Sequence, residues 1–255
     1  MPERIQSVER AATILRLLAS GPRRLGVVEL AQAMKLPKGT VHGILRTLQH
    51  VGFVEQDHSG GKYRLGATLL HLGTSYLDLN ELRTRALNWA DSLATNSGES
   101  VRIGSLHEGR VLVVHHVFRP DDSLQVLEFG ALLPPHASAL GKVLLAFAVE
   151  GDSVLDGVDL APVTDRTTTT RRALLQQIEK VRAQNWAVEV EELVAGEAGI
   201  AAPIHDDRGV VVGAIGISGA IERVCQADRT PRAELIAAVR DAARAVSRNL
   251  GARAW

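Results

Sequence analysis

The feature that most constrains the fold lies between residues 27 and 65. A short apolar helical pattern, Val27–Met34 with Val27, Leu30 and Ala31 inward, runs into Lys35-Leu36-Pro37. A second helical stripe then places Val41, Ile44, Leu45 and Leu48 at i, i+3, i+4 and i+7, one face of a helix from about Lys38 to His50. Pro37 cannot lie inside a helix but suits its first turn or the residue just before it. The inward stripe leaves Lys38, Thr40, His42, Gly43, Arg46, Thr47 and Gln49 off the core. Upstream, Ser7–Ser20 carries Val8, Ala11, Ala12, Leu15 and Leu18 at helical spacing, and Gly21-Pro22 ends that helix. Downstream, Phe53–Gln56 and Lys62–Leu65 read as strands around the polar turn Asp57-His58-Ser59-Gly60-Gly61. Helices followed by a strand hairpin give the order of a winged helix-turn-helix.

Charge points the same way. The whole chain balances 29 basic against 29 acidic residues, but residues 1–75 hold 10 Lys/Arg and 5 Asp/Glu, and residues 76–255 hold 19 and 24. A basic first third on a mildly acidic body fits a small anion-binding module. A second helix with short polar residues near its start can enter a major groove about 12 Å wide and touch base edges. Thr40, His42 and Gly43 keep that surface slim, Arg46 can reach a guanine or a phosphate, and Thr47 shares the exposed face. Lys38 and Lys62 fall nearer phosphates, and the hairpin tip from His58 to Lys62 can lie along the backbone. The competing reading is a helical cap on an enzyme, with Arg46 merely solvated.

Beyond the hairpin, Leu69, Leu70 and Leu72 point to a short helix. Leu79–Thr95, with Leu82, Ala86, Trp89, Ala90 and Leu93 on one side, reads as a connecting helix that contributes to dimerisation. The remainder alternates strands and helices. Val101–Leu106 and Val111–Val117 flank the turn His107-Glu108-Gly109, a helix runs from about Ser138 to Ala148, and Thr167–Thr170 caps a helix over Arg171–Gln184. Strands follow near Ala187–Glu191, Ile200–His205 and Val210–Ser218, then a final helix, Arg232–Leu250. The class is α+β in two parts.

No apolar run approaches the roughly 18 residues of a membrane span, the first residues lack a signal-peptide core, and a lone Cys225 rules out an internal disulfide framework. A cytoplasmic protein without membrane contact is expected. Enzyme signatures are missing. His115 and His116, adjacent on a strand, point to opposite faces and cannot share a metal; there is no HExxH or GxSxG. Glu191-Glu192 reads as a solvated strand end, and Cys225 as a small residue rather than a nucleophile. No catalytic residue, metal site or cofactor is expected.

A family resemblance now becomes legible. Ser7-Val8-Glu9-Arg10-Ala11-Ala12, Glu29-Leu30-Ala31, Leu36-Pro37-Lys38-Gly39-Thr40-Val41-His42, Gly52-Phe53-Val54-Glu55 and Tyr63-Arg64-Leu65-Gly66 resemble the IclR family of bacterial transcription regulators. So do Ser97-Gly98-Glu99-Ser100-Val101, His136-Ala137-Ser138-Ala139-Leu140-Gly141-Lys142, Ala201-Ala202-Pro203-Ile204-His205-Asp206 and Ile217-Ser218-Gly219 further on. More narrowly, His42–Gln49 and His115–Ser123 resemble actinobacterial members that regulate glycerol-utilisation operons.

The resemblance implies a winged helix-turn-helix DNA-binding domain over 1–75, a linker helix over 76–97 and a GAF-like α/β effector-binding domain over 98–255. It implies a regulator, taken as a repressor, that works as a homodimer or dimer of dimers on double-stranded operator DNA. The second domain would sense a small metabolite such as glycerol or glycerol phosphate. The effector shell carried over comprises Ala137, Ser138, Ala139, Leu140, Gly141, Glu189, Gly199 and Ser218. Two positions depart from the family pattern. Glu189 replaces a shorter Asp, and Gly199 stands where Cys is usual, which reads as an open wall admitting a larger ligand. Whether Lys142 or Arg102 turns inward to meet an anion is open at this level. The alternative is a DNA-binding protein whose second domain serves only oligomerisation or protein interaction.

Overall fold

The computed structural model describes residues 5–20, 24–57, 61–69, 77–121, 123–149 and 151–252. The chain divides into two compact units, residues 1–77 and 78–255.

The first unit contains α1 (Gln6–Ser20), α2 (Val27–Met34), α3 (Lys38–His50), β1 (Val54–Gln56) and β2 (Tyr63–Leu65). In α1 the buried positions are Ile14 and Leu18, with Ala11 and Leu15 beside them. Val8, expected inward, is 62% exposed because the first turn of α1 overhangs the core, and Ile14 takes the central place. The Glu29 carboxylate accepts the Gly26 N–H at 2.6 Å and so caps α2 at its start. Lys35 adopts the left-handed conformation (φ 53°) and ends α2, the Leu36 N–H bonding the Ala31 carbonyl at 3.0 Å. Pro37, at φ −58°, immediately precedes α3. This is the tight turn that the proline placement predicts. Val41, Leu45 and Leu48 of α3 pack with Ile14, Leu30, Val54 and Tyr63 into one core.

β1 and β2 pair antiparallel, Val54 opposite Leu65 and Gln56 opposite Tyr63. Each strand begins one residue later than its apolar pattern suggests: at β1 the Phe53 N–H is drawn back to the Leu48 carbonyl at 2.8 Å, and before β2 the Lys62 carbonyl accepts the Asp57 N–H at 2.8 Å within the turn. The expected end of α1 at Gly21-Pro22, the hairpin tip at His58–Gly60 and the short helix beyond Leu69 lie outside the described residues.

The second unit is built on a six-stranded antiparallel sheet of order β5-β4-β3-β8-β7-β6. Its strands are β3 (Ser100–His107), β4 (Arg110–Val117), β5 (Leu132–Leu133), β6 (Ala187–Val190), β7 (Glu197–His205) and β8 (Val211–Ala220). One face is covered by α4 (Leu77–Ser97) and α8 (Ala233–Asn249), which bring Leu82, Ala86, Ala90, Leu93, Leu235, Val239 and Val246 against Val101, Ile103, Ile200 and Ile217. The apolar side of α4 is thus spent on the core of its own unit. The other face is covered by α5 (Ala139–Ala146) and α6 (Arg171–Gln184), where Val143, Leu144, Leu174 and Ile178 meet Val111, Ala187, Ala201 and Ala214. A short turn of helix, α7 (Ile221–Val224), follows β8.

Side chains alternate in direction along a strand, so a sheet covered on both faces must be apolar at successive positions. Residues Ala198 to His205 of β7 are accordingly all buried. The threonine run does cap α6, the Thr170 hydroxyl accepting the Ala173 N–H. The observed architecture is the expected α+β arrangement, a helix-turn-helix unit and an α/β unit.

Candidate nucleic-acid interface and effector site

Each unit presents one candidate site. In the first, the buried stripe of α3 fixes what faces outward. At 3.6 residues per turn, the side opposite Val41 and Leu45 is centred on Gly39, Gly43, Arg46 and His50, and all four are exposed. A Cβ added to Gly39 or Gly43 would meet nothing within 4 Å, so the centre of this face is open and slim. His42 and Thr47 flank it and are exposed, while Lys38 and Thr40 fall on opposite sides of the helix, Thr40 half-buried. Sequence reasoning passed over Gly39 and His50, although the same periodicity contains both.

Three nearby cations already have acidic partners. Arg24 pairs with Asp57, Arg64 with Glu55 at 2.8 Å, and Lys62 lies 3.9 Å from Glu29. Among the described residues Lys38 and Arg46 form no ion pair. No acid among the described residues compensates their charge, which favours an anion there.

In the second unit, register assembles the site. Glu189 on β6 is opposite Gly199 on β7, Gly199 is opposite Ser218 on β8, and Ser218 is opposite Ser100 on β3. Directly opposed residues share a face, so these positions form one row across four strands. The row faces the start of α5. There Ser138 caps the helix, its hydroxyl accepting the Gly141 N–H at 3.2 Å and donating to the Pro134 carbonyl at 3.0 Å.

A cavity of about 20 Å³, the size of one water molecule, lies between row and helix. Of the eight residues expected, Ser138, Ala139, Leu140, Glu189, Gly199 and Ser218 line it, and Arg102 and Leu193 join them. Ala137 is fully buried and does not reach it. Gly141 does not reach it either. It is needed for packing, since a Cβ there would lie 2.2 Å from the Pro135 carbonyl oxygen.

Arg102 is the cation that turns in. Its Nη1 donates to the Ser218 hydroxyl at 2.5 Å, and its Nε ion-pairs with Glu128. The Ser100 hydroxyl donates to the Ser218 carbonyl at 3.0 Å and lies 3.1 Å from the Ser218 hydroxyl. Strand alternation held the signal for both residues: Val101 and Ile103 are fully buried toward α4 and α8, which sends Ser100 and Arg102 to the opposite face.

Lys142 also turns in, but it is committed to the Glu192 carboxylate. Burial pulls the Lys142 ammonium below its usual range, and Glu192 opposes that shift. Glu192 is therefore no solvated strand end, as its sequence context suggested; it is 8% exposed, and its partner lies 50 residues away in sequence. Its neighbour Glu191 adopts a left-handed backbone (φ 58°) and pairs with Arg229 at 2.6 Å.

The open wall expected at Gly199 is closed. A Cβ there would sit 3.2 Å from the Glu189 Oε1, so the longer acid fills the volume that the missing side chain leaves. The other oxygen of Glu189 accepts the N–H groups of Glu192 and Leu193 at 3.0 and 3.4 Å. Burial pushes this carboxyl up to about 7, against the pull of those N–H groups and of Lys142.

Comparison with known proteins agrees with both units. The model of the IclR helix-turn-helix domain matches residues 7–58, and that of the bacterial transcriptional regulator IclR C-terminal domain matches residues 74–248. The glycerol operon regulatory protein of Streptomyces coelicolor is 57% identical over 252 residues, covering 99% of each chain. That of Streptomyces griseus is 55% identical over 253 residues, again covering 99% of each. The solved structure of a transcriptional regulator from Rhodococcus sp. RHA1 superposes with a TM-score of 0.79 at 29% identity, covering 97% of this chain and 98% of that one. No helix among the described residues is long and apolar enough to cross a membrane. With a helix-turn-helix that implies DNA binding in its first unit and a regulator domain in its second, the chain belongs to the IclR family of bacterial transcriptional regulators, which are not enzymes.

Proposed function

We propose that the protein is a cytoplasmic repressor that holds a palindromic operator through α3 and the β1–β2 wing, and that a small polar metabolite bound beneath α5 alters this hold. Residues 1–75 form the DNA-binding domain in this reading, 76–97 the connecting helix and 98–255 the effector domain. Glycerol or glycerol phosphate is the favoured effector class, because the two Streptomyces relatives are glycerol operon regulators at 57% and 55% identity. The observation that carries the sensing role is the polar row Glu189-Gly199-Ser218-Ser100 closed over by the start of α5. Such a row is a poor way to fill a core and a good way to hold a hydroxyl-bearing molecule.

Assembly follows from the DNA side. One wing domain covers too few base pairs to stand out against the ~10⁶–10⁹ competing sites of a genome. A homodimer or dimer of dimers is therefore expected, and light scattering at micromolar protein checks it. A monomer that still binds its operator tightly contradicts the reading.

Mapping the bound promoter and measuring melting temperature against a metabolite panel tests the function as a whole. A saturable rise in melting temperature supports a sensor, since a ligand that binds only the folded state stabilises it. Operator binding with no stabilisation by any metabolite favours the alternative, a second domain that serves assembly alone. Ser218→Ala is expected to weaken effector binding by roughly 0.5–3 kcal/mol, the range for losing a neutral or charge-assisted hydrogen bond. Calorimetric titration of the variant beside the wild type reads it.

A further inference from the structure

A second cleft opens in the second unit, apart from the cavity beneath α5. Its volume is about 230 Å³, and it is lined by Asn185, Ala202, Pro203, Arg240, Ala243 and Arg244. It shares no residue with the cavity beneath α5. β6 pairs with β7 only as far as Ala201, while β7 runs on to His205 against β8 alone. The cleft therefore sits on the open edge of β7, between the end of α6 and α8.

Its walls are cationic and its floor is small. Arg240 and Arg244 are four residues apart on α8, which places them side by side on neighbouring turns. Like charges at this spacing repel and weaken a helix, so helix stability gives no reason for the pair. Arg240 is half-buried, and among the described residues it forms no hydrogen bond and no ion pair. Arg244 meets only Asp241, at 3.2 Å; that aspartate side chain is 73% exposed, so the pair is weak and readily exchanged. Asn185 ends α6 in the left-handed conformation (φ 60°). Its carboxamide has no hydrogen-bond partner among the described residues and offers two N–H donors. Ala202, Pro203 and Ala243 leave the space between these groups unfilled, and no carboxylate lines it.

We propose that this cleft is a second anion site. It takes a phosphate, or the phosphoryl end of a small phosphorylated metabolite, between Arg240 and Arg244, with the Asn185 carboxamide donating to one of its oxygens. A half-buried guanidinium has given up water without gaining a partner, and an oxyanion supplies one through two parallel bonds. Two such forks on adjacent turns suit a tetrahedral group with several acceptor oxygens better than a single hydroxyl. The anion also removes the repulsion between the two arginines. The size of the cleft, below the roughly 300–1,000 Å³ of pockets for drug-sized ligands, calls for a small occupant. An extended peptide added to the edge of β7 is disfavoured, because Pro203 has no N–H to give it. This site stands apart from the effector reading, and either can fail alone.

The test is calorimetric titration of the full chain with inorganic phosphate, pyrophosphate and methyl phosphate, at fixed ionic strength in a phosphate-free buffer. Heat is the readout because phosphate raises melting temperatures without occupying a site. At least one of the three is expected to bind saturably, with a Kd of about 1 mM or tighter. Arg240→Gln together with Arg244→Gln should weaken that binding about tenfold or more. Arg102→Gln, in the other cavity, should leave it unchanged. Phosphate and methyl phosphate binding alike supports a site for the free ion, and tighter methyl phosphate supports one for a phosphorylated metabolite. Without any anion, Arg240→Gln should keep or raise the melting temperature, since it relieves repulsion and breaks no bond; a clear fall assigns Arg240 a structural role and overturns the inference. Binding that Arg102→Gln abolishes and the α8 variants spare belongs to the cavity beneath α5, which overturns the inference and leaves the effector reading standing. No saturable heat with any of the three compounds overturns it as well, again without touching that reading. The α8 variants decide the matter even if Arg102→Gln folds poorly.

Discussion

Lys142 and Glu192 illustrate how a residue's role is set by a partner distant in sequence. Neither could be buried alone, since an isolated charge in the interior costs several kcal/mol. Together they are tolerated, 1% and 8% exposed. Lys142→Ala should therefore destabilise the protein by about 3–5 kcal/mol, because it strands a buried carboxylate. The double variant Lys142→Met with Glu192→Leu should recover most of that loss, as apolar replacements of buried pairs often do. Urea midpoints of the single and double variants read the difference, and a double variant as unstable as the single one would refute this account. Gly141 makes a related point by contact. Its missing Cβ lets α5 press on Pro135, so Gly141→Ala must displace backbone and should cost roughly 1–3 kcal/mol in the same assay.

At the scale of the element, α3 is built for an outward task at some expense to itself. Two glycines in a helix of 13 residues weaken it, each by roughly 1 kcal/mol relative to alanine. Gly43 is exposed with open space around it, so no packing need explains it. Gly43→Ala should raise the melting temperature while lowering operator affinity, because the added methyl thickens the face that approaches the groove. An alanine variant that gained both stability and affinity would remove Gly43 from the interface. Arg46→Ala should cost about 1–3 kcal/mol of binding if it reads a guanine through two bonds. Lys62→Ala should weaken binding to every sequence alike and lower the salt slope by about one. Gel shifts over a range of salt separate these two behaviours.

For the whole molecule, pH acts through groups in the second unit that pull in opposite directions. Burial lowers the pKa of His115, His116 and His205. Below about 6.5 the unfolded chain binds more protons at these sites than the folded one does. Their contribution is thus fully present above that value and is lost as pH falls through it toward the lowered folded pKa. Glu189 runs the other way. Its folded pKa near 7 lies above the unfolded value of 4.5, so stability falls as pH rises between them. Glu189→Gln should therefore gain roughly 1–3 kcal/mol on the wild type at pH 8 compared with pH 4.5. An equal difference at both pH values would show that folding does not raise the Glu189 pKa.

Local spacing along the chain was enough to determine the main helices, the two hairpins and their order, whereas the two-residue β5 and the single turn α7 are too short to carry a period and were not legible. Val41, Ile44, Leu45 and Leu48 specify α3 because they are one another's neighbours on a helix, and Pro37 marks its start. The exposed face of α3 follows as the complement of that stripe. The second site was legible only in part. Strand alternation contains the outward turn of Arg102, but nothing local says that β8 inserts between β3 and β7, the step that brings Ser100 beside Ser218. Nothing local pairs Lys142 with Glu192, or sets the Glu189 carboxyl into the space above Gly199. Helix and turn preferences act over three or four residues and are written in any short window. Strand order, register and the pairing of buried charges are decided by contacts between distant segments, and those exist only once the sheet has closed.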